Sequence, residues 1–338
     1  MQSSNVISLG EALIDRLGPL GGDLTLNQAK TNCFGGAPAN VACALGRLGV
    51  NVSFVGSLGS DSFGQDFKNL MISRGVNLVA LQEDKLRPTR IVLVNRDSDG
   101  DRSFGGFEGD MGLGFADQVI SRDKLAKDWP LISEGAKWLI LGTIPLASNE
   151  SSEAFSWAIK QSLESGINIA LDLNWRSTFW RNEVSTNLGP SIRELNIIKP
   201  FLNFPSLIKL AKEEAEWFFN SSNATEISRA LPQRPSIIIT DGSNPVNWQV
   251  NKITGITNTI LPPSVVDTTG AGDAFTAGLI YQLMSYEINQ IDKETAEEII
   301  KFSICCGAYV CQGIGAIDTQ PNQEDIEKFL SISNGGIN

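Results

Sequence analysis

The chain has 338 residues, 42% of them hydrophobic, and a formal net charge of −11. This composition predicts a folded protein with a substantial core, and the acidic balance argues against nucleic acid or an anionic membrane surface as a partner. Histidine is absent, which excludes triad hydrolases with an imidazole base and His-ligated zinc sites. Any proton transfer must therefore fall to Asp, Glu, Lys, Tyr or Cys.

The predicted location is cytoplasmic. The five cysteines form no C-x-x-C pair, which favours reduced thiols. The beginning of the sequence, MQSSNVISLG, lacks the basic and apolar regions of a signal peptide. No apolar run approaches the ~20 residues that a membrane span requires.

Short apolar runs alternate with helical patterns along most of the chain. The runs predict buried strands, and the first two helical segments between them are 37–48 and 63–74. Strands that alternate with helices predict an α/β fold with a mainly parallel sheet covered on both faces. Ligands of such sheets gather at the carboxyl ends of the strands. The predicted strands are 5–10, 51–59, 137–142, 167–174 and 236–240, and the further helices are 153–164, 213–220 and 274–284.

Two regions break this alternation. Residues 12–32 form one, and the other, 88–107, alternates like a half-exposed hairpin with a turn at 97–101. We interpret both as a small β-sheet lid beside the main sheet. The predicted division is a catalytic core of 1–11, 33–75 and 112–332, a discontinuous lid of 12–32 and 76–111, and a tail of 333–338.

The stretch VVDTTGAGDAFTAGLI (265–280) joins a glycine-rich turn to a helical pattern. Gly270 and Gly272 let backbone N–H groups converge at a helix N-terminus, which favours an anion site. Asp273, in the first helical turn, is either a cap of this helix or a general base beside phosphate. The pattern alone leaves both roles open. The chain has no P-loop and no third glycine in GAGDAF, which argues against a Rossmann dehydrogenase.

A second stretch, FGGAPANVACALGRLGVNVSFVGSLG (34–59), begins with a glycine pair. Gly35 and Gly36 allow a ligand to approach the backbone, and Asn40 offers an amide in the first helical turn. A plain turn before a helix explains this stretch equally well.

Together the two stretches resemble the ribokinase-like (PfkB) carbohydrate kinase family. Its first signature, Gly-Gly-x-x-x-Asn followed by spaced glycines, matches Gly35, Gly36 and Asn40. Its second, Asp-Thr-x-Gly-Ala-Gly-Asp, matches 267–273. The resemblance implies a ribokinase-like α/β fold with a β-sheet lid, and ATP-dependent phosphorylation of a sugar hydroxyl.

The resemblance also implies roles for the matched residues. Asp273 is expected to be the catalytic base, and Gly270, Ala271 and Gly272 the anion hole for the transferring phosphoryl group. The sugar site is expected to contain Asp15, Gly35, Gly36 and Asn40.

Several further stretches are similar to fructokinases in particular. DLNWRSTFW (172–180) supplies Arg176 for phosphate or substrate oxygens, with a surface arginine as the alternative. Lys209 matches a lysine that fructokinases place after a strand. GEALID, GGAPAN and DGDRSF are also closer to fructokinases than to ribokinases.

The resemblance implies a nucleotide and two kinds of metal ion. For ATP, ITDGSNP (239–245) matches a turn of the family through Thr240 and Gly242, with Pro245 in place of a second glycine. Members usually carry an acid three residues after the lysine, acting on the hydration shell of Mg²⁺. Lys212 stands there, so Glu213 or Glu214 is expected to take over, unless this helix face is simply solvated.

A monovalent cation, K⁺, is expected beside the anion hole in many members. Asp267 and Thr269 match its first loop, and GIGAID (313–318) resembles its second loop through Gly315 and Ala316. Lids in this family also pair, which predicts a homodimer through the lid.

The sequence therefore predicts a sugar kinase, with fructose as the leading substrate. A 2-keto-3-deoxygluconate kinase and another sugar or nucleoside kinase of the family are alternatives. A non-catalytic sugar-binding regulator is a further alternative, against which the intact Gly-Ala-Gly-Asp sequence argues.

Overall fold

The structure is a computed structural model that describes residues 4–22, 30–96, 102–181 and 188–335. The predicted turn at 97–101 lies outside these residues, as do residues 336–338 of the predicted tail. The strands, numbered in chain order, are β1 (Val6–Leu9), β2 (Leu13–Leu20), β3 (Thr31–Gly35), β4 (Val52–Val55), β5 (Ser57–Gly59), β6 (Gln82–Asp84), β7 (Ile91–Arg96), β8 (Arg102–Glu108), β9 (Trp138–Leu141), β10 (Asn168–Asp172), β11 (Leu207–Ala211), β12 (Ser236–Asp241), β13 (Asn244–Val250) and β14 (Ile253–Thr257).

The helices bear out the predicted helical segments to within a few residues. In chain order they are α1 (Ala37–Arg47), α2 (Ser62–Ser73), α3 (Arg122–Ser133), α4 (Asn149–Glu164), α5 (Ser177–Trp180), α6 (Ile192–Ile198), α7 (Lys212–Phe219), α8 (Ala224–Ala230), α9 (Ala271–Leu283), α10 (Lys293–Val310) and α11 (Gln323–Gly335). No helix among the described residues is both long and apolar enough to cross a membrane.

The main sheet has the strand order β14-β13-β12-β11-β10-β9-β1-β4. The six neighbouring strands β4, β1, β9, β10, β11 and β12 are parallel, and β13 and β14 are added by antiparallel pairing at the β12 side. Successive residues of β1 belong to two core clusters: Val6 packs with residues of α1 and α9, whereas Ile7 packs with residues of α3 and α4. Both faces of the sheet are thus covered, which explains why its strands are continuous apolar runs.

A second sheet has the order β3-β2-β7-β8. The predicted hairpin is present as the antiparallel pair β7–β8, and β2 joins it through parallel pairing with β7. Its strands are partly exposed, as polar–apolar alternation requires. The ribokinase-like α/β fold with a small additional sheet is therefore confirmed, whereas the boundaries of core and lid remain a prediction.

The chain passes between the two sheets through very short connections. β1 ends at Leu9 and β2 begins at Leu13, while β3 ends at Gly35 and α1 begins at Ala37. The amino end of α1 and the base of the second sheet are consequently held beside the carboxyl end of β1.

Candidate active site

A cavity of about 530 Å³ lies between the carboxyl ends of the parallel strands and the second sheet. Asp15, Val92 and Phe104 face it from the second sheet. Asp273 and Lys209 face it from the main body. The cavity therefore occupies the sheet edge where the sequence predicts a ligand site.

The glycine turn before α9 has the expected helix-terminal geometry. Gly270 is the residue before the helix, with φ at 79°, and a Cβ on it would lie 2.6 Å from the Cα of Ala316. A Cβ on Gly272 would lie 3.0 Å from Nζ of Lys209. Both glycines line the cavity, whereas Ala271 does not, and its N–H donates to the carbonyl of Thr268 at 3.2 Å. The turn thus brings the helix N-terminus and an ammonium group to one place.

Asp273 lies in the first turn of α9, and its side chain does not cap the helix. Its Oδ2 accepts a hydrogen bond of 2.7 Å from Nδ2 of Asn40 instead. Burial raises the pKa of Asp273 to about 6, with a further rise from Asp172, against the lowering effect of Asn40, Lys209 and Arg176. A carboxylate with this pKa is ionised at neutral pH and is a better proton acceptor than an ordinary aspartate.

Lys209 lies within β11, rather than after a strand as the sequence predicted. Its Nζ lies 2.9 Å from Oδ2 of Asp172, its neighbour in the register of β10 and β11. Burial disfavours the ammonium charge, but the attraction of Asp172, Glu214 and Asp273 outweighs it and raises the pKa of Lys209. The group therefore remains a cation at neutral pH.

Glu214 is buried at the start of α7 and lines the cavity. Its carboxylate accepts from the backbone N–H groups of Trp175 at 2.6 Å and Ala211 at 2.7 Å. Burial, followed by the charge of Asp172, raises its pKa. Lys212 pairs instead with Asp241 on the surface, at 2.9 Å. The acid that faces the cavity from this helix is thus Glu214, together with the more exposed Glu213.

The predicted sugar residues meet at the base of the second sheet. Asp15 pairs with Cys33 of β3 and Val92 of β7 in the sheet register. A Cβ on Gly35 would lie 2.6 Å from Oδ2 of Asp15. Gly36 has φ at 100°, and a Cβ there would lie 2.6 Å from the carbonyl oxygen of Glu11. Gly36 is therefore required both by close approach of the backbone and by its own conformation, whereas at Gly35 the neighbouring atoms belong to side chains.

Arg176 lines the cavity immediately before α5, and its Nη1 donates to the carbonyl of Trp175 at 2.8 Å. The guanidinium retains further N–H donors. Its position suits an anionic or hydroxyl group in the cavity.

The three residues predicted for a monovalent cation lie together behind the anion turn. Oδ1 of Asp267 accepts from the N–H of Thr269 at 3.0 Å and from its Oγ1 at 2.7 Å. Oδ2 accepts from the N–H of Gly315 at 2.8 Å, and Gly315 has φ at 84°. Asp267 thereby joins the two loops that the sequence comparison paired.

Thr240 and Gly242 lie apart from the cavity, although on the same edge of the main sheet. Thr240 pairs with Ala211 at the carboxyl end of β12, and Gly242 occupies the turn into β13 with φ at 55°. Pro245 belongs to β13, next to a register shift between β12 and β13. A ligand that contacted both regions would have to extend along this edge.

Two acidic residues of the site were not singled out from the sequence. Asp172 ends β10, and its Oδ2 accepts from both Lys209 and Thr276 Oγ1. Glu11 follows β1 and is only 1% exposed. An acid at the carboxyl end of a buried strand, or within two residues of it, is the signal that could have identified both residues.

The sequence matches the family model described as "pfkB family carbohydrate kinase" over residues 3–323. It is 30% identical over 335 residues to "Probable fructokinase-6, chloroplastic" of Arabidopsis thaliana, covering 97% of this chain and 83% of that one.

Two solved structures are similar over nearly their whole length. The fructokinase of Xylella fastidiosa with bound ATP has a TM-score of 0.83 and 26% identity, covering 97% of this chain and 98% of that one. The fructokinase of Vibrio cholerae O395 bound to fructose, ADP and a calcium ion has a TM-score of 0.79 and 27% identity, covering 97% and 99%. With the family model matching almost all of the sequence, this chain belongs to the PfkB family of carbohydrate kinases and is a phosphotransferase that acts on a sugar hydroxyl group.

Proposed function

We propose that the chain is a fructokinase, which transfers the γ-phosphoryl group of ATP to D-fructose and forms D-fructose 6-phosphate. The observation that carries this proposal is the position of Asp273, which lies at a helix N-terminus in a cavity shared with Asp15 of the second sheet. The names of the relatives, and the fructose and ADP bound to one of them, favour this substrate over other sugars.

In this mechanism Asp273 is the general base. Its carboxylate accepts the proton of the attacking hydroxyl as the oxygen–phosphorus bond forms. The hydrogen bond from Asn40 holds one oxygen in place. The second carboxylate oxygen of Asp273 is then directed at the hydroxyl group of the sugar.

The transferring phosphoryl group lies against the glycine turn of α9. Backbone N–H groups of Gly270 and Gly272, which line the cavity, form the anion hole, with the positive end of the helix dipole behind them. The N–H of Ala271, which the sequence also predicted there, donates to the carbonyl of Thr268 instead. Nζ of Lys209 supplies a cation at Gly272. Phosphoryl transfer depends mainly on positioning and charge stabilisation, which this turn provides.

The sugar binds between the second sheet and the glycine pair. Asp15 and Asn40 orient its hydroxyl groups, Arg176 contributes N–H donors, and Gly36 allows the sugar to approach the backbone. Gly35 leaves room for the carboxylate of Asp15. Oδ1 of Asn40 is buried without a hydrogen-bond partner among the described residues. An unmatched buried acceptor of this kind suits a sugar hydroxyl, because leaving it unpaired is costly.

ATP extends from the anion hole along the sheet edge towards Thr240 and Gly242. Bound Mg²⁺ would neutralise charge on the β- and γ-phosphates. The residues present fit such an ion, since each oxygen of Glu214 keeps a lone pair after its backbone hydrogen bond and can hold a water of the hydrated ion. K⁺ is proposed at Asp267, Thr269 and Gly315.

The position of Arg176 supports one alternative substrate, 2-keto-3-deoxygluconate. A guanidinium that lines the cavity is well suited to bind a carboxylate, and this sugar acid has one whereas fructose does not. The two substrates therefore predict different roles for Arg176.

A sugar panel with ATP, scored by ADP release, tests the proposal. Fructose should give the highest kcat/KM, well above 2-keto-3-deoxygluconate and adenosine. The variant Asp273→Asn serves as the blank for contaminating kinases. Fructose turning over no better than the other two would overturn the choice of substrate.

The predicted homodimer through the second sheet is part of the proposal. Light scattering at several protein concentrations should give about twice the mass of the 36.5 kDa chain. A constant monomer mass would contradict it.

A further inference from the structure

Glu11 is an acidic residue of the cavity, on the side near the second sheet. Neither the sequence motifs nor the proposed mechanism gives it a role. It lies in the connection between β1 and β2, is 1% exposed, and lines the cavity. Lone carboxyl groups are rarely buried so completely unless they are paired or functional.

The two oxygens of Glu11 have different surroundings. Oε1 accepts a hydrogen bond of 3.1 Å from the N–H of Ala37, in the first turn of α1. Oε2 is buried and has no hydrogen-bond partner among the described residues. It lies 3.8 Å from the point that a Cβ on Gly142 would occupy, so the glycine after β9 leaves space beside it.

The charged groups around Glu11 determine its protonation. Burial raises its pKa to about 8, and the carboxylates of Asp117 and Asp273 add to this rise, against the lowering effect of the backbone N–H groups of Glu11 and Ala37. Asp117 is paired with Arg90, at 2.8 Å, and Asp273 is influenced by Lys209 and Arg176. Glu11 is therefore protonated at neutral pH. Because Oε1 is already an acceptor, the proton resides on Oε2, which is a donor without an acceptor.

Resting on the proposed function, we propose that Glu11 is a sugar-binding residue whose Oε2–H donates a hydrogen bond to a hydroxyl oxygen of the substrate. The same carboxyl also holds the residue after the glycine pair, through the N–H of Ala37. A neutral donor avoids a third negative charge beside Asp117 and Asp273, yet still recognises an oxygen of a polyol.

The test is a cycle of variants and sugars measured with ATP in excess. The sugars are D-fructose and its single deoxy analogues that keep the 6-hydroxyl, and the enzymes are wild type, Glu11→Gln and Glu11→Leu. For wild type, one analogue should have a KM about five- to tenfold higher than fructose. For Glu11→Leu the KM of fructose should rise by a similar factor, and the analogue that wild type binds poorly should have the same KM as fructose. The KM of ATP should stay within about twofold of the wild-type value.

Glu11→Gln keeps the shape and a donor, so its KM for fructose should stay within about threefold of wild type. The wild-type KM for fructose should rise as the pH increases through about 8, where the donor proton is lost, whereas that of Glu11→Gln should be flat. This comparison stands even if Glu11→Leu fails to fold.

If the role of Glu11 is purely structural, the ratio of KM between each deoxy analogue and fructose should be the same in wild type and in Glu11→Leu. That result would overturn the inference. So would the same alkaline rise of KM in Glu11→Gln. The sugar panel decides the proposed function separately, and the cycle uses deoxy analogues of whichever sugar turns over best.

Discussion

The two halves of the cavity are built in contrasting ways. The phosphate half is formed by α9 and by strands of the main sheet, whose side chains are packed on both faces. The sugar half is formed largely by the second sheet, where β7 is buried at its first two residues and partly exposed thereafter. In the proposed mechanism, the phosphoryl-transfer chemistry common to all kinase substrates therefore belongs to the densely packed core, whereas sugar selection belongs to a sheet with fewer packing constraints.

The largest expected effect belongs to the phosphate half. Asp273→Asn should reduce kcat on the order of 10³-fold, because the amide cannot accept the hydroxyl proton. ATP affinity, measured by calorimetry, should change little, since the glycine turn is intact. Near-normal turnover would show that Asp273 is not the base.

Gly270→Ala should affect folding and activity together. The new Cβ would meet the backbone of Ala316 at 2.6 Å, in a conformation with φ at 79°. We expect a loss of about 3 kcal/mol in the free energy of unfolding, measured with urea.

The matched control is Gly75→Ala, with φ at 77° and nothing within 4 Å of the added Cβ. It carries only the backbone strain of about 1 kcal/mol and should retain full kcat. Equal losses in the two variants would contradict the tight packing of the anion turn.

Asp15→Ala tests the sugar half. Loss of a charged hydrogen-bonding group should raise the KM for fructose by about tenfold or more and leave the KM for ATP unchanged. The control Asp66→Ala removes an exposed acid of α2 and should change neither constant. An effect confined to ATP would contradict the position proposed for Asp15.

The smallest effect is a shift in pH dependence. With the pKa of Asp273 at about 6, the ionised base is lost as the pH falls through this value, so kcat/KM for the sugar should decline below about pH 6. Asn40→Leu removes the hydrogen bond that lowers this pKa, and should move the decline to higher pH. A profile that stayed flat down to pH 4 would contradict the raised pKa.

Elements with a clear periodicity could be predicted from the sequence. The strands that read as apolar runs and the helix after the glycine pair were recovered, as was the turn before α9. β11 was missed because Lys209 interrupts its apolar run. The charge is tolerated there because Asp172 on the next strand neutralises it.

Pairs that depend on sheet register could not be predicted. Asp172 and Lys209 are 37 positions apart, and only the alignment of β10 with β11 brings them together. The burial of Glu11 could not be predicted either, because it depends on distant parts of the chain, α1 and the glycine after β9, that lie beside it. Local sequence can mark an acid at a strand end, but it carries no signal for the group that this acid contacts.

The contact between Glu11 and Gly36 closes the excursion that forms β2 and β3. A segment whose two ends touch can change in length or composition without displacing the chain before or after it, and the entropic cost of added residues grows only slowly. The outer part of this excursion is therefore a suitable place to exchange sequence between related enzymes, because Asp273 and its glycine turn belong to a distant part of the chain.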